Sequence, residues 1–333
     1  MPDNRVPSTI NEYLTRHGLD GARVVALTAD ASDRRYFRIV PRGGDSFVLA
    51  LHTQAFAPGS LPFVNVGELF AAIPLPVPRV RGEAPDLGIL VLDDLGDVTL
   101  QAHLGSAPAA EHDALYARAV DHIVVMQQRG RDLADSRFLP FTLAFDVEKL
   151  TWEMDFFLRH FLEGYRGIEF SPSDRAALRA ELVQLVEELA AEPRVLCHRD
   201  YHSRNLMVTG GELFVIDFQD ARLGPNTYDL VSLLRDSYVD LTEPFVDEMI
   251  ARFREAAGVA ESTAAFQARF DVMALQRNLK ALGTFGYQAV ARANPVYAQY
   301  VPRTLRYVRD NLARHGRFAA IGSLLSDRVP ELV

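Results

Sequence analysis

Residues 196–220 read LCHRDYHSRNLMVTGGELFVIDFQD. His198, Asp200, Asn205 and Asp217 stand there beside apolar runs of the kind that cores bury, and charge in such company needs partners. Between Asn205 and Asp217 lies LMVTGGELFVI, two strand-like runs joined by Gly210-Gly211, and a glycine pair accepts the positive φ of a tight two-residue turn. The natural reading is an antiparallel hairpin. Asn205 then begins one strand and Asp217 ends its partner, so two oxygen-bearing side chains converge. A carboxylate with an amide oxygen suits a hard cation such as Mg²⁺, which keeps several waters and takes its other ligands from phosphates. Asp200, in an irregular loop just before Asn205, faces the same point and is placed to accept a proton or orient a hydroxyl. This is a layout for phosphoryl transfer.

The bulk composition narrows the partners. A chain of 333 residues with 48% hydrophobic content supports one large or two modest domains. Its net charge of -9 speaks against a broad electrostatic grip on nucleic acid or anionic lipid and leaves a small molecule as the expected partner, with no obligate protein partner evident. The single cysteine, Cys197, excludes an internal disulfide, and the first residues lack the basic, apolar, cleavable order of a signal peptide. No apolar run approaches a membrane span, so a cytoplasmic location is expected. Only two lysines occur, Lys149 and Lys280.

Away from the hairpin, brief apolar runs at 24–27, 36–40, 46–51 and 88–92 read as strands, with Pro41 and Gly43-Gly44 joining the second and third. Residues 62–73 read as a helix crossing between sheet strands. From Pro108 onward the period becomes helical: Val147, Leu150, Met154, Phe157 and Phe161 share one face, and further helical stretches are expected near 108–129, 173–190, 226–237, 242–256 and 263–316, with breaks inside the last. Strand composition ends within DDLGDVTL at 93–100. The expected division is therefore 1–93, a sheet with one helix, and 94–333, mainly helical, with a ligand cleft between two lobes.

The string His198-Arg199-Asp200, then Asn205, then Ile216-Asp217-Phe218, resembles the catalytic loop and metal-binding segment of the protein-kinase-like fold. The continuation DFQDA is similar to the aminoglycoside phosphotransferase and choline kinase branch. Within it, ASDRRYFRI, ILVLDDLGD, HRDYHSRNLM and LQRNLKALGTF resemble the bacterial anomeric kinases of N-acetylmuramate and N-acetylglucosamine. The resemblance implies an α+β, two-lobed fold with a small antiparallel-sheet N-terminal lobe and a larger helical C-terminal lobe. It implies an ATP- and Mg²⁺-dependent kinase of an amino sugar that feeds cell-wall recycling. Alternative readings are an acceptor such as an aminoglycoside, choline or another small alcohol, and a nucleotide-binding pseudokinase.

The same resemblance distributes roles. Asp200 is the catalytic base or hydroxyl positioner, Asn205 and Asp217 the metal ligands, and His198 and Arg199 supports of the loop, which Asp229 braces from below through backbone amides or Arg199. Asp220 reads either as a further acid near the metal or as a helix cap. In the first lobe, ASDRRYFRI stands where kinases carry a glycine-rich loop, and the usual lysine of the third strand is missing. Ser32 with Arg34, Arg35 or Arg38 is expected to take over the phosphates, with Glu68 as a possible anchor. Leu92, Asp93 and Asp94 form the connector offering backbone groups to adenine. Glu153, Arg204, Arg277 and Asn278 are the acceptor-binding candidates, with helix-packing ion pairs or solvated charges as their other reading. Trp152, Phe285 and Tyr287 read as core.

Overall fold

The computed structural model describes residues 6–27, 34–105 and 108–333. Ser32 lies outside them. The chain forms two compact units: the first comprises the residues up to Val98 together with Met207–Gln219, and the second Thr99–Leu206 with Asp220–Val333. The first unit therefore extends past the compositional break after Asp93, and it takes in the glycine hairpin from the middle of the chain.

In the first unit, β1 (Arg23–Leu27), β2 (Arg35–Val40), β3 (Phe47–Leu51), β4 (Val80–Ala84) and β5 (Ile89–Asp93) make an antiparallel sheet in the order β1-β2-β3-β5-β4. The β2–β3 pairing, Arg35 opposite Leu51 through Ile39 opposite Phe47, is the hairpin expected across Pro41 and the glycines. Alternation sends Phe37, Ile39, Leu49, Ile89 and Val91 into one core with Ile10, Tyr13 and Leu14 of α1 (Ser8–Arg16). Helix α2 (Pro62–Ala72) buries Phe63, Val66, Leu69 and Phe70. Strand β4 carries no apolar run to announce it, being an edge strand with a register shift between Val80 and Gly82.

The second unit is helical. Helices α3 (Leu100–Leu104), α4 (Ala109–Asp132), α5 (Val147–Phe157) and α6 (Pro172–Ala190) precede the catalytic segment, and α5 continues as a π-helical stretch over Leu158–Tyr165. Strand β6 (Arg194–Cys197) leads into that segment, and β7 (Leu206–Thr209) and β8 (Glu212–Val215) form the hairpin beyond it. Then follow β9 (Arg222–Pro225), α7 (Tyr228–Leu234), α8 (Glu243–Ala257), α9 (Thr263–Val290), α10 (Val301–Arg314) and α11 (Ala319–Ser326). The break expected within 263–316 falls between α9 and α10.

Helix α9 is the central member. A side chain at Gly283 would meet the Phe157 Cα at 2.9 Å, and one at Gly286 would run into the His160 carbonyl. Glycine at these two positions lets α9 lie directly on the backbone of α5 and its π extension, which fixes the height at which Gln276 through Lys280 are presented. No helix of the described residues is long and apolar enough to cross a membrane.

Candidate active site

In the second unit, the loop that follows β6 is pinned from beneath. Asp229, in the first turn of α7 and fully buried, accepts hydrogen bonds from the His198 amide at 2.7 Å and the Arg199 amide at 3.0 Å. Burial pushes its carboxyl up, against the neighbouring His198 and the two amide bonds. The bracing expected of Asp229 is thus made through backbone amides and not through the Arg199 side chain. Arg199 itself sits at φ 87°, a left-handed conformation that a non-glycine residue adopts at a cost. From above, Arg277 Nη1 donates to the Arg199 carbonyl and the Tyr228 hydroxyl, both at 2.9 Å, and its guanidinium lies over the Tyr228 ring. Arg277 is therefore committed to the loop, whereas the sequence suggested an acceptor contact.

A second carboxylate holds the middle of the loop. Asp236 accepts from the Ser203 amide at 2.9 Å, from the Ser203 hydroxyl, and from the Tyr238 amide at 2.8 Å. Half-buried His202 is held neutral, its pKa lowered by desolvation to about 3. The result is a loop with a fixed backbone at both ends.

Asp200 lies between these anchors with its side chain 28% exposed. Lys280 Nζ stands 2.7 Å from Oδ1, Arg277 Nη1 3.6 Å from the same oxygen, and Arg199 Nε 3.7 Å from Oδ2. Burial alone would raise the carboxyl, but Lys280, Arg199 and Arg277 outweigh it and hold Asp200 well below the usual carboxylate range. An ionised, weakly basic carboxylate orients a hydroxyl well and takes its proton only as the oxygen becomes bonded elsewhere. The Arg199 guanidinium meets Asp220 at 2.9 Å, so Asp220 is an ion-pair partner of the loop, a role the sequence reading did not weigh. Lys280 and Asp236 were also missed. The only signal for Lys280 was its rarity, since nothing in a helical repeat says which polar residue meets a loop 80 positions earlier.

Asn205 donates its amide nitrogen to the Asp200 carbonyl at 2.9 Å, which turns its oxygen into the remaining donor for a cation. In the first unit, Gly210 and Gly211 at φ 59° and 80° close the β7–β8 hairpin as expected. The hairpin is tied to its own unit by Val208 N to Val98 O and Val215 N to Pro76 O, both 2.8 Å. Beyond β8, Phe218 is fully buried, its ring 4.6 Å from Phe63 and 5.4 Å from Phe70 of α2. That anchor presents Asp217, itself at φ 63°, with its carboxylate half-exposed, 2.9 Å from Gln219 Nε2 and 3.7 Å from Arg34. Hard oxygen donors at Asn205 and Asp217 fit Mg²⁺ in kind. They belong to different units.

The first-unit arginines separate into distinct roles. Arg38 is consumed by acids: Nε and Nη2 reach Asp94 at 2.7 and 2.9 Å, and Nη1 reaches Asp97 at 2.7 Å. It is a structural fork within the first unit, and its expected service to phosphate is not what its geometry offers. Arg35 shares the face of Phe37 and lies over that ring at 5.1 Å, on the α1 side of the sheet. Arg34 is the one beside Asp217. Glu68 is exposed and anchors no arginine among the described residues. In the connector, Leu92 is buried, Asp93 takes the Arg81 guanidinium and the Arg79 amide, and Asp94 takes Arg38, Ser46 and the Gly96 amide. The Asp93 and Asp94 side chains are thus held by the protein.

Of the acceptor candidates, Glu153 on α5 is buried and accepts from Gln276 Nε2 at 2.9 Å through Oε2. Its Oε1 and the Asn278 Nδ2 are buried with no hydrogen-bond partner among the described residues, one open acceptor and one open donor. Arg204 lies over the Tyr238 ring at 4.8 Å and 5.9 Å from Tyr297. Phe285 is core, but Trp152 is 53% exposed, with Lys149 Nζ 4.0 Å above its ring, because its position on α5 points away from the helix packing.

Residues 23–274 match the model of the phosphotransferase enzyme family, APH. An N-acetylmuramate/N-acetylglucosamine kinase from Neisseria meningitidis serogroup B is 35% identical over 90% of this chain and 89% of its own length. One of the same name from Pseudomonas aeruginosa is 33% identical, over 92% and 88%. Among solved structures, the streptomycin–ATP–APH(2″)-IIa ternary complex superposes with a TM-score of 0.62 at 14% identity, covering 95% of this chain and 99% of that one. Its likeness is one of fold, the two-lobed kinase-like architecture read from the sequence.

Proposed function

The chain belongs to the phosphotransferase enzyme family, and from that premise we propose that it transfers the γ-phosphoryl group of ATP to the anomeric hydroxyl of N-acetylmuramate, N-acetylglucosamine or both. Such an enzyme acts in the cytoplasm on amino sugars released from the cell wall. The observation that carries the reading is Asp200: an ionised carboxylate on a loop whose backbone is pinned on both sides, in a chain one-third identical to kinases of that name.

The acceptor hydroxyl donates to Asp200, which aims its oxygen at the γ-phosphorus. As that P–O bond forms, the bond to the β–γ bridging oxygen breaks with its electron pair leaving on ADP, and the hydroxyl proton passes to Asp200. A weakly basic Asp200 suits a proton that moves late. Asn205 and Asp217 are the residues whose oxygen atoms would serve as donors to Mg²⁺, and a bound ion would supply positive charge to the phosphates. Arg34 supplies positive charge to the nucleotide, and main-chain groups of the connector near Leu92 to Asp94 meet the base. Glu153, with an open oxygen, and Asn278, with an open amide donor, are suited to the hydroxyl and acetamido groups of a sugar.

Cationic acceptors such as aminoglycosides or choline are disfavoured, because Lys280, Arg277 and Arg199 all face the carboxylate that would receive them. ATP consumption against N-acetylmuramate, N-acetylglucosamine, glucosamine, choline and kanamycin tests this. Turnover of either N-acetylated sugar is expected, strongly reduced but still measurable in D200N. Turnover confined to choline or kanamycin would sink the reading.

A further inference from the structure

Lys280 is one of two lysines in the chain, and it is placed at the reacting centre. Its side chain is 16% exposed, and one N–H of its ammonium group reaches Asp200 Oδ1 at 2.7 Å. The other two N–H groups of this half-buried lysine meet no acceptor among the described residues and remain available to a ligand. The neighbouring cations are held by the protein through their Nη atoms, although the Arg199 and Arg277 Nε atoms are buried without a hydrogen-bond partner among the described residues. Arg277 is tied to the Arg199 carbonyl and the Tyr228 hydroxyl, and Arg199 to Asp220. Glu153 lies within charge range of Lys280 but accepts its hydrogen bond from Gln276. Burial works against the Lys280 charge, so an arriving anion would strengthen it.

We propose that Lys280 is a catalytic residue of the transfer, holding Asp200 with one N–H and giving the others to the phosphoryl group as it passes to the acceptor oxygen. The proposal rests on the assignment of Asp200 as the acceptor-orienting carboxylate. Bonds and protons balance as in the transfer above, with the hydroxyl proton going to Asp200 while Lys280 stays protonated throughout. Its ammonium accompanies the negative charge that shifts across the phosphoryl oxygens, an interaction stronger in the transition state than in the bound substrates. Helix α9 serves this role through Gly283 and Gly286, which seat it on the α5 backbone and keep the Lys280 position from drifting.

Steady-state kinetics of the full-length chain with MgATP and N-acetylmuramate, comparing K280M, K280R, D200N and the double variant D200N/K280M, test the proposal. K280M is expected to lower kcat about 100-fold, as loss of a preorganised donor does, with KM for ATP changed less than about threefold. Without its closest cation, Asp200 titrates at a higher pH. The acid limb of kcat/KM should therefore move upward in K280M and stay near its native place in K280R, a response that a packing defect does not produce. The double variant replaces the ion pair by two neutral groups and so remains foldable if K280M alone does not. It is expected to run at least about tenfold slower than D200N, since the contact with the phosphoryl group is lost in addition. A double variant as fast as D200N, or an acid limb that stays in place when K280M folds, would overturn the proposal. D200N with native activity would instead remove the assignment of Asp200 on which it stands.

Discussion

Asp229 offers the sharpest test of how the catalytic loop is held. Its two carboxylate oxygens accept the His198 and Arg199 amides at 2.7 and 3.0 Å in a fully buried setting. A hydrogen bond to a charged group contributes about 1.5–3 kcal/mol, and a buried amide left without a partner costs about 1–3 kcal/mol. Asparagine keeps one oxygen, so one amide stays paired while the other faces an NH₂ group; alanine strands both. Part of the loss returns, because burial already pushes the Asp229 carboxyl up and neither variant buries a charge. The net expectation is a loss of about 2 kcal/mol for D229N and about 4 kcal/mol for D229A, read from urea unfolding midpoints at unchanged slope. The effect on rate is larger. Arg199 at φ 87° is in a conformation that costs about 1–3 kcal/mol and persists only while its surroundings impose it. Once released, it relaxes and carries the adjoining Asp200 with it, and a displacement of about 1 Å costs about 100-fold in rate. D229N should therefore show kcat lowered about 100-fold with KM for ATP within about threefold of native. A folded D229N enzyme whose kcat stays within about threefold of native would refute the claim that this carboxylate positions Asp200.

Other expectations separate the remaining assignments. R34A should raise KM for ATP about tenfold or more while leaving the unfolding midpoint within about 0.5 kcal/mol, whereas R38A should leave KM unchanged and lose about 2 kcal/mol of stability, because it abandons a nearly buried Asp94; urea unfolding beside ATP saturation curves distinguishes the two. The Asp94 carboxyl lies below its usual range, because Arg38, Ser46 and the Gly96 amide outweigh its burial. The stability from this fork is then fully present above the unfolded pKa of about 3.9 and is lost as pH falls through the lower folded value, so the gap between native and R38A should narrow as pH falls below the unfolded value in acid titrations of the unfolding midpoint. N205A and D217A should raise the Mg²⁺ concentration needed for half-maximal rate, with D217A more severe because it removes a full charge; a Mg²⁺ titration unchanged in both would discard them as ligands. G286A should destabilise by about 3 kcal/mol or more, since its methyl group has nowhere to go but the His160 carbonyl.

Much of this protein could be read along the chain because the relevant signals are local. Gly210-Gly211 between two apolar runs specifies a hairpin through φ alone, and the period-2 and period-3.6 runs placed β1, β2, β3, β5 and most helices within a few residues. The spacing from His198 to Asp217 marked the reaction class. Strand β4 escaped because an edge strand with a register shift need not alternate, and Trp152 was misplaced because hydrophobicity does not say which way a helix faces.

What the sequence by itself determined is therefore most of the elements, the family and the identity of Asp200, Asn205 and Asp217 as candidates, since each rests on backbone preference or on residues close in the chain. Only the tertiary structure decided which charges meet. It committed Arg38 to Asp94 and Asp97, drew Arg277 onto the loop backbone, set Asp236 beneath Ser203 and brought Lys280 to Asp200. Ion pairs between distant segments follow from how helices and strands pack, and a charged residue carries no mark in its own neighbourhood of the partner that packing will bring to it.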